Sequence, residues 1–269
     1  MKLLIVTQTI DINDPVLGFF CRWVEEFAKH CEKVTVICLH EGIHSLPNNV
    51  RVTALGKTRV GRVFDFLHLC ISRRSEYDTV FVHMNQEYVL IAGWLWKLLG
   101  KRTYLWRNHY AGSWLTDVAA VFCTKVFCTS KHSYTVKYKK TVLMPVGVDT
   151  ERFTPGARHV RKPHSILFLA RMASSKRPEL FLDALAMLAR AGTRFTATFV
   201  GSPAPGDESY YAGLKAHTAT LGFEDAVIFL PAVTNADAVN LYRTHEIFVN
   251  ASPSGMLDKT IFEAAASGC

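Results

Sequence analysis

The stretch "FLARMASSKRPELFLDAL", Phe168 to Leu185, sets Arg171, Lys176 and Arg177 close together where an apolar strand runs out at Ala170. A guanidinium fork gives bidentate hydrogen bonds and a mobile ammonium gives a point charge, so the pair suits a diphosphate. Two plainer accounts compete with an anion site: the cations of a solvated loop, or charge kept for solubility. Further on, "NASPSGMLDKTIFEAAASG" places small residues before a helix whose first-turn amides have no internal partner. Such a helix start attracts phosphate oxygens. Glu263 follows Asp258 by little more than one helical turn, and its carboxylate can accept two hydrogen bonds from a ribose diol. Standing alone, Glu263 would read as an ordinary solvated helix glutamate.

These residues need a scaffold, and the chain spells one out. Apolar runs of strand length recur at Leu3–Val6, Val34–Cys38, Thr79–Val82, Thr103–Trp106, Val126–Cys128 and Thr141–Met144. Between them lie segments of helical period, such as the stripe Phe20, Trp23, Val24, Phe27, Ala28. Strand and helix in alternation imply an α/β fold with a parallel sheet and helices on both faces. After Met144 the texture changes to "PVGVDTERFTPGARHVRKPH", rich in Pro, Gly and charge, which reads as an interdomain linker. Alternation then resumes with Ser165–Ala170, a helix after Pro178, Phe195–Val200, a helix through Tyr211 and Leu214, Val227–Leu230, a helix near Ala236–Tyr242, Ile247–Asn250 and a last helix begun near Asp258. The boundaries expected are a first domain over 1–146, a linker over 147–163 and a second domain over 164–269. Two doubly wound halves facing one another are the economical architecture. Ligands are then expected at the carboxyl ends of the strands and in the cleft between halves.

Composition narrows the function. The 269 residues are 49% hydrophobic and 20% charged, which is the balance of a folded globular protein. The net charge of +8 favours an anionic partner, without choosing among nucleic acid, an acidic membrane and a phosphorylated ligand. The seven cysteines are an odd number, mostly inside apolar runs, and no two form a C-x-x-C pair. They read as reduced, buried thiols in the cytoplasm rather than disulfides or a zinc site. Asp11 and Asp14 cut the opening apolar run short of a signal-peptide core, so it reads as a first strand. The most apolar stretch, Tyr88 to Gly100, falls short of a bilayer span and reads as a buried helix. There is no G-x-G-x-x-G after the first strand and no Walker A lysine, against nicotinamide and P-loop chemistry.

The segments "LARMASSKRPELFLDAL", "MPVGVDTERFTP" and "NASPSGMLDKTIFEAAASG" resemble, in order and spacing, three segments of the family 4 retaining glycosyltransferases of GT-B fold. The opening "VTQTIDINDPVLGFFCRWVEEFA" is similar to their first strand, glycine loop and first helix. The resemblance implies two facing Rossmann-like doubly wound parallel-sheet domains, the second incomplete here. It implies a nucleotide-diphosphate-sugar donor as co-substrate, held mainly by the second half, and a glycan, lipid-linked or small-molecule acceptor held mainly by the first. The positions matched by Arg171 and Lys176 neutralise the donor phosphates and the charge on the leaving group. They do so as fixed charges, without a metal, and no Asp-x-Asp motif is present to hold one. Glu263 matches the glutamate that binds the nucleotide ribose. Gly18 matches the loop that approaches the donor phosphates.

One departure concerns the sugar. The family often carries a second glutamate eight positions before the ribose-binding one, and here that position is Gly255. Asp258 substitutes for it only in part, and main-chain amides of Met256, Leu257, Asp258, Lys259 and Thr260 are left to serve the donor. In the first half, "YLWRNHYAGS" ends a strand with His109 in a polar turn, resembling the family's histidine beside the reacting centre. An imidazole there can hydrogen-bond the donor sugar or an acceptor oxygen, the plainer account being a surface loop histidine. His83 ends the preceding strand in the same way, and Arg107 and Asn108 are candidates for the acceptor side.

Two other functions fit part of the pattern. A nucleotide-sugar 2-epimerase shares the fold but is expected to carry further acidic residues in the cleft. A non-catalytic basic module for nucleic acid would spread its cations over one face among aromatics, whereas here the telling ones sit at a strand end; no nucleic-acid partner is expected. The runs Lys137, Lys139, Lys140 and Arg158, Arg161, Lys162 suit either solvent or peripheral contact with the anionic inner face of the cell membrane. Because the family pattern continues past "FEAAASGC", the chain reads as a fragment of a longer enzyme, with weak donor binding and little turnover on its own.

Overall fold

The computed structural model describes residues 1–156, 161–253 and 257–269. The chain forms two compact units, Met1–Pro145 and Val146–Cys269. In the first unit the order is β1 (Lys2–Val6), β2 (Thr9–Ile10), α1 (Phe19–His30), β3 (Lys33–Cys38), β4 (His40–Glu41), β5 (Val50–Ala54), α2 (Arg59–Ser72), β6 (Thr79–His83), α3 (Gln86–Leu98), β7 (Arg102–Trp106), α4 (Trp114–Phe122), β8 (Lys125–Cys128) and β9 (Thr141–Leu143). Seven of these strands make one sheet in the order β5-β3-β1-β6-β7-β8-β9, every pair parallel.

Strand β1 shows why its sequence is apolar without alternation. It lies between β3 and β6, with Leu3 opposite both Val34 and Thr79. Its side chains alternate between two cores: Leu4 and Val6 pack under α2, α3 and α4, while Leu3 and Ile5 pack under α1. A strand covered on both faces needs apolar residues at every position. The stripe expected on α1 is real, with Phe20, Val24 and Ala28 buried. The apolar stretch after Tyr88 is helix α3, whose Val89, Ala92 and Trp96 are sealed in the core.

The second unit runs β10 (Ser165–Leu169), α5 (Pro178–Arg190), β11 (Thr196–Val200), α6 (Glu208–Thr220), β12 (Val227–Leu230), α7 (Asn235–Thr244), β13 (Ile247–Val249) and α8 (Lys259–Ala266). Its sheet has the order β12-β11-β10-β13, again parallel throughout. Pro178 opens α5, where its missing N–H costs nothing. Within the segment read as a linker, Phe153 is 1% exposed and packs with Leu167, Val200 and Tyr242 in the core of the second unit. Arg243 fixes that segment, donating from Nε to the Thr154 carbonyl at 2.7 Å. The edge strand β5 went unread in the sequence because its half-exposed "VRVTA" carries too few apolar residues to stand out.

Candidate functional site

Both sheets reverse their winding direction at an internal strand. In the second unit, β10 has β11 on one side and β13 on the other. Chain crossovers leave a crevice at such a point, outside the carboxyl ends of the strands, and that is where open α/β sheets bind ligands. Arg171 and Lys176 follow directly from the carboxyl end of β10. Ser174–Lys176 form a single 3-10 turn, and Arg177 adopts a left-handed conformation (φ 51°, ψ 48°) before Pro178. Strained backbone of this kind concentrates at functional sites.

The turn directs Lys176 across to the end of β13. Its Nζ lies 2.5 Å from Asp258 Oδ1, with the two side chains only 15% and 19% exposed. The other carboxylate oxygen, Oδ2, accepts hydrogen bonds from Asn250 Nδ2 at 2.9 Å and Ser252 Oγ at 2.5 Å. Asp258 stands at the N-cap of α8, yet its side chain caps no amide there, because the lysine and β13 loop occupy it. Arg171 is different. It is exposed and makes no ion pair or side-chain hydrogen bond among the described residues. Two cations that look equivalent in the sequence therefore differ: one is held by a carboxylate, the other projects from the strand end.

Burial alone would raise the Asp258 carboxyl, but hydrogen bonds from Asn250, Lys176 and Ser252 outweigh it and hold the group below the usual carboxylate range. A depressed folded-state value contributes stability that is complete above the unfolded value near 4 and lost as pH falls through the folded one. Asp258→Asn is therefore expected to cost the second unit about 1–2 kcal/mol at neutral pH. The gap from wild type should narrow in urea titrations carried below about pH 4. A constant gap across pH would assign the loss to packing rather than charge.

Glu263 is not the solvated helix residue that its position on an exposed-looking helix allowed. It is 3% exposed, with Oε1 accepting from Asn235 Nδ2 at 3.2 Å and lying 3.3 Å from Lys259 Nζ. Tyr242 donates its hydroxyl to Oε2 at 3.4 Å, and burial, then the carboxylate itself, pushes that phenol up so that it stays a donor. Leu257, Lys259 and Thr260 lie around the start of α8, whose first turn has no side-chain cap. Gly255 and Met256 lie outside the described residues.

In the first unit the winding reverses between β1 and β6. A cavity of about 370 Å³ sits there, lined by Gln8, Val16, Leu17, His83 to Glu87, Arg107 and His109. Gln8, just past β1, donates from Nε2 to Asn85 Oδ1, just past β6, at 2.8 Å and ties the two strand ends together. Arg107 is half-buried, donating to Gln86 Oε1 at 2.9 Å and to the Ala111 carbonyl at 3.1 Å. His109 is exposed; its Nδ1 lies 3.0 Å from the Ala111 amide and 3.3 Å from the Ala111 carbonyl, which ties the ring to its own turn. Asn108 does not line the cavity and instead accepts the Thr129 amide at 3.2 Å, joining β7 to β8.

The loop after β2 also reaches the cavity, through Val16 and Leu17 rather than Gly18. A Cβ at Gly18 would lie 2.6 Å from the Asp14 carbonyl oxygen and 2.8 Å from that of Ile12. The glycine is required by its own loop folding tightly into α1. Sequence reasoning missed Met84, which has φ 67° and is spanned by an Asn85 amide to His83 carbonyl bond of 2.8 Å. Such a γ-turn is rare and strained, and Met84 is among the residues lining the cavity.

His83 is 4% exposed, stacked on Phe20 at 4.2 Å, and burial pushes its ring down to about 4. It is neutral in the folded state, while the unfolded chain takes up a proton near pH 6.5. Stability from this site is complete above 6.5 and is lost as pH falls toward 4. Between pH 6.5 and pH 5 the loss is expected to be about 2 kcal/mol, and His83→Gln should remove that slope. All five tryptophans precede residue 115, so their fluorescence follows the first unit alone. An unchanged slope in the variant would place the titration elsewhere.

Residues 163–269 match the glycosyl transferases group 1 family. The matched residues include Arg171, Lys176, Asp258 and Glu263. Among curated proteins, the chain is 31% identical over 142 residues to the D-inositol 3-phosphate glycosyltransferase of Geodermatophilus obscurus, covering 48% of this chain and 32% of that protein. It is 29% identical over 147 residues to the mannosylfructose-phosphate synthase of Agrobacterium fabrum, covering 50% and 32%. The match thus spans about a third of the length of these relatives. Among solved structures, Anabaena HepE in complex with UDP and glucose superposes with a TM-score of 0.77 at 17% identity, covering 100% of this chain and 79% of HepE. Sucrose-phosphate synthase from Thermosynechococcus elongatus gives 0.75 at 14%, covering 100% and 80%. Both units of the chain share the GT-B fold of these glycosyltransferase structures.

Proposed function

We propose that this chain belongs to a retaining glycosyltransferase of family 4 that moves a hexose from a nucleotide-diphosphate-sugar to a glycan, lipid-linked or small-molecule acceptor, without a metal. The observation that carries the reading is the pair Arg171 and Lys176 at the carboxyl end of β10, where the sheet reverses its winding. When the bond from the anomeric carbon breaks, its electron pair goes to the leaving diphosphate oxygen. Fixed cations stabilise that developing charge without reorganising at the moment of reaction. Arg171 supplies the bidentate contact and Lys176, oriented by Asp258, the point charge. Glu263 is assigned the ribose diol and His109, through Nε2, an oxygen of the donor sugar or acceptor. Six cysteines buried as free thiols support work in the reducing cytoplasm.

The donor is tested first by thermal shift against UDP-, GDP-, ADP- and dTDP-sugars, since binding to the folded state raises the melting temperature. UDP-glucose leads the series because the HepE structures hold UDP and UDP-glucose. The anomer released by slow donor hydrolysis is then read by NMR in excess EDTA. An inverted product, or turnover that appears only with added manganese, rejects the reading.

A further inference from the structure

Helices α2, α3 and α4 cover the same face of the seven-stranded sheet, with their inner residues in one core. Their outer faces are unusual. Surface helices ordinarily turn charge to solvent. Here α4 exposes Trp114, Val118 and Val121 at i, i+4, i+7, α3 exposes Trp94 and Leu98 at i, i+4, and α2 exposes Val60, Phe64 and Ile71 along one stripe. Phe64 is 70% exposed, Leu98 78% and Trp114 71%. Large apolar side chains exposed along three neighbouring helices mark a contact site.

The charge around this face is one-sided. In a parallel α/β unit the carboxyl ends of the helices share one edge of the sheet, and here that edge carries Arg73, Arg74, Lys97, Lys101, Arg102 and Lys125. Lys101 binds the rim together, donating to the carbonyls of Arg74 at 2.8 Å and Tyr77 at 2.6 Å. The acids of the same edge are engaged: Glu76 pairs with Lys33 at 2.8 Å, and Asp78 accepts the Lys2 amide at 3.2 Å. Over residues 57–125 there are ten Lys and Arg against five Asp and Glu. Trp94 and Leu98 lie toward the carboxyl end of α3 beside this rim, while Trp114 opens α4 at the other end of the same face. Exposed aromatic rings on a face with a basic rim are the combination that seats a protein on an anionic lipid surface, with rings at the headgroups and cations toward the phosphates.

We propose that the outer face of α2, α3 and α4 is a peripheral docking surface for an anionic bilayer. No helix among the described residues is long and apolar enough to cross a membrane, so the contact is one of lying on the surface. The surface differs from the cation runs singled out in the sequence. Lys137 is paired with Asp117 at 2.7 Å, Lys140 donates to the carbonyls of Ala120 and Cys123 at the end of α4, and Arg158 lies outside the described residues. The inference does not depend on the proposed reaction.

The test is cosedimentation of the full 269-residue chain with vesicles of phosphatidylcholine alone, or with about one third phosphatidylglycerol. Binding is expected only to the anionic vesicles, and to weaken in high salt. The double variant Phe64→Ser, Trp114→Ser should bind about tenfold more weakly with an unchanged melting curve, because both side chains lie outside the core. Should that variant lose its fold, brominated lipid offers a second measurement: it should quench the tryptophans of the wild type, less so in Trp114→Phe. Equal binding to neutral vesicles, no binding to either, or absent quenching would overturn the proposal. So would a concentration-dependent dimer that the double variant abolishes, since the face would then belong to a second copy of the chain.

Discussion

Arg171→Ala is expected to lower kcat/KM for donor turnover by about 10²- to 10³-fold, the loss that follows removal of one preorganised electrostatic partner. The melting temperature should move by no more than about 2 °C, because exposed side chains without partners contribute little to folding. That combination follows from placement. Arg171 leaves the end of β10 into solvent and pairs with no carboxylate among the described residues, while its neighbour Met172 is fully buried and anchors the turn. Arg171→Lys should recover only part of the rate, since an ammonium keeps the charge and loses the planar fork. Lys176→Ala gives the contrast: it removes the proposed phosphate partner and leaves Asp258 without its Lys176 ion pair, so turnover and stability should fall together. Donor-hydrolysis kinetics and melting curves on the three variants separate these outcomes. Near-normal turnover in Arg171→Ala would return the residue to the solvated loop that its sequence also allows.

Gly201→Ala is expected to destabilise the second unit by about 4 kcal/mol, combining a backbone conformation hostile to side chains with a direct clash. Gly201 has φ 152°, and a Cβ there would fall 1.9 Å from the Ala170 carbonyl oxygen. The two strand ends are otherwise fixed, Ala170 bonding through its amide to Val200 O and Gly201 to Leu230 O, both at 3.1 Å. Relief must push Ala170, and with it the residue that follows, Arg171. Urea unfolding followed by far-UV circular dichroism should show an early phase that tryptophan fluorescence, confined to the first unit, does not. Gly213→Ala is the control: it lies within α6 with nothing within 4 Å of a Cβ, so it should be neutral or stabilise by about 0.5–1 kcal/mol. Equal midpoints for the two variants would mean that the strand ends part without cost.

The amino-acid sequence alone determined the elements and the side chains that they carry. Runs such as "LLIV" and "SILFL" are of strand length and apolar at every position, which reads as strands covered on both faces, and the stripe on α1 reads as a buried helix face, because these patterns are set by local geometry. The cations after Ala170 and the helix start at Asp258 were legible for the same reason. Sequence order could not say that β13 lies against β10. That pairing brings Asp258 to Lys176 across 82 residues and divides two similar cations into one held and one projecting. It could not seal Glu263 against Tyr242, draw Phe153 out of a polar segment into a core, or bend the chain at Met84. Local propensity acts over a few residues, whereas strand order, burial and the desolvation that holds His83 neutral depend on which distant segments pack together, and only the tertiary structure decided that.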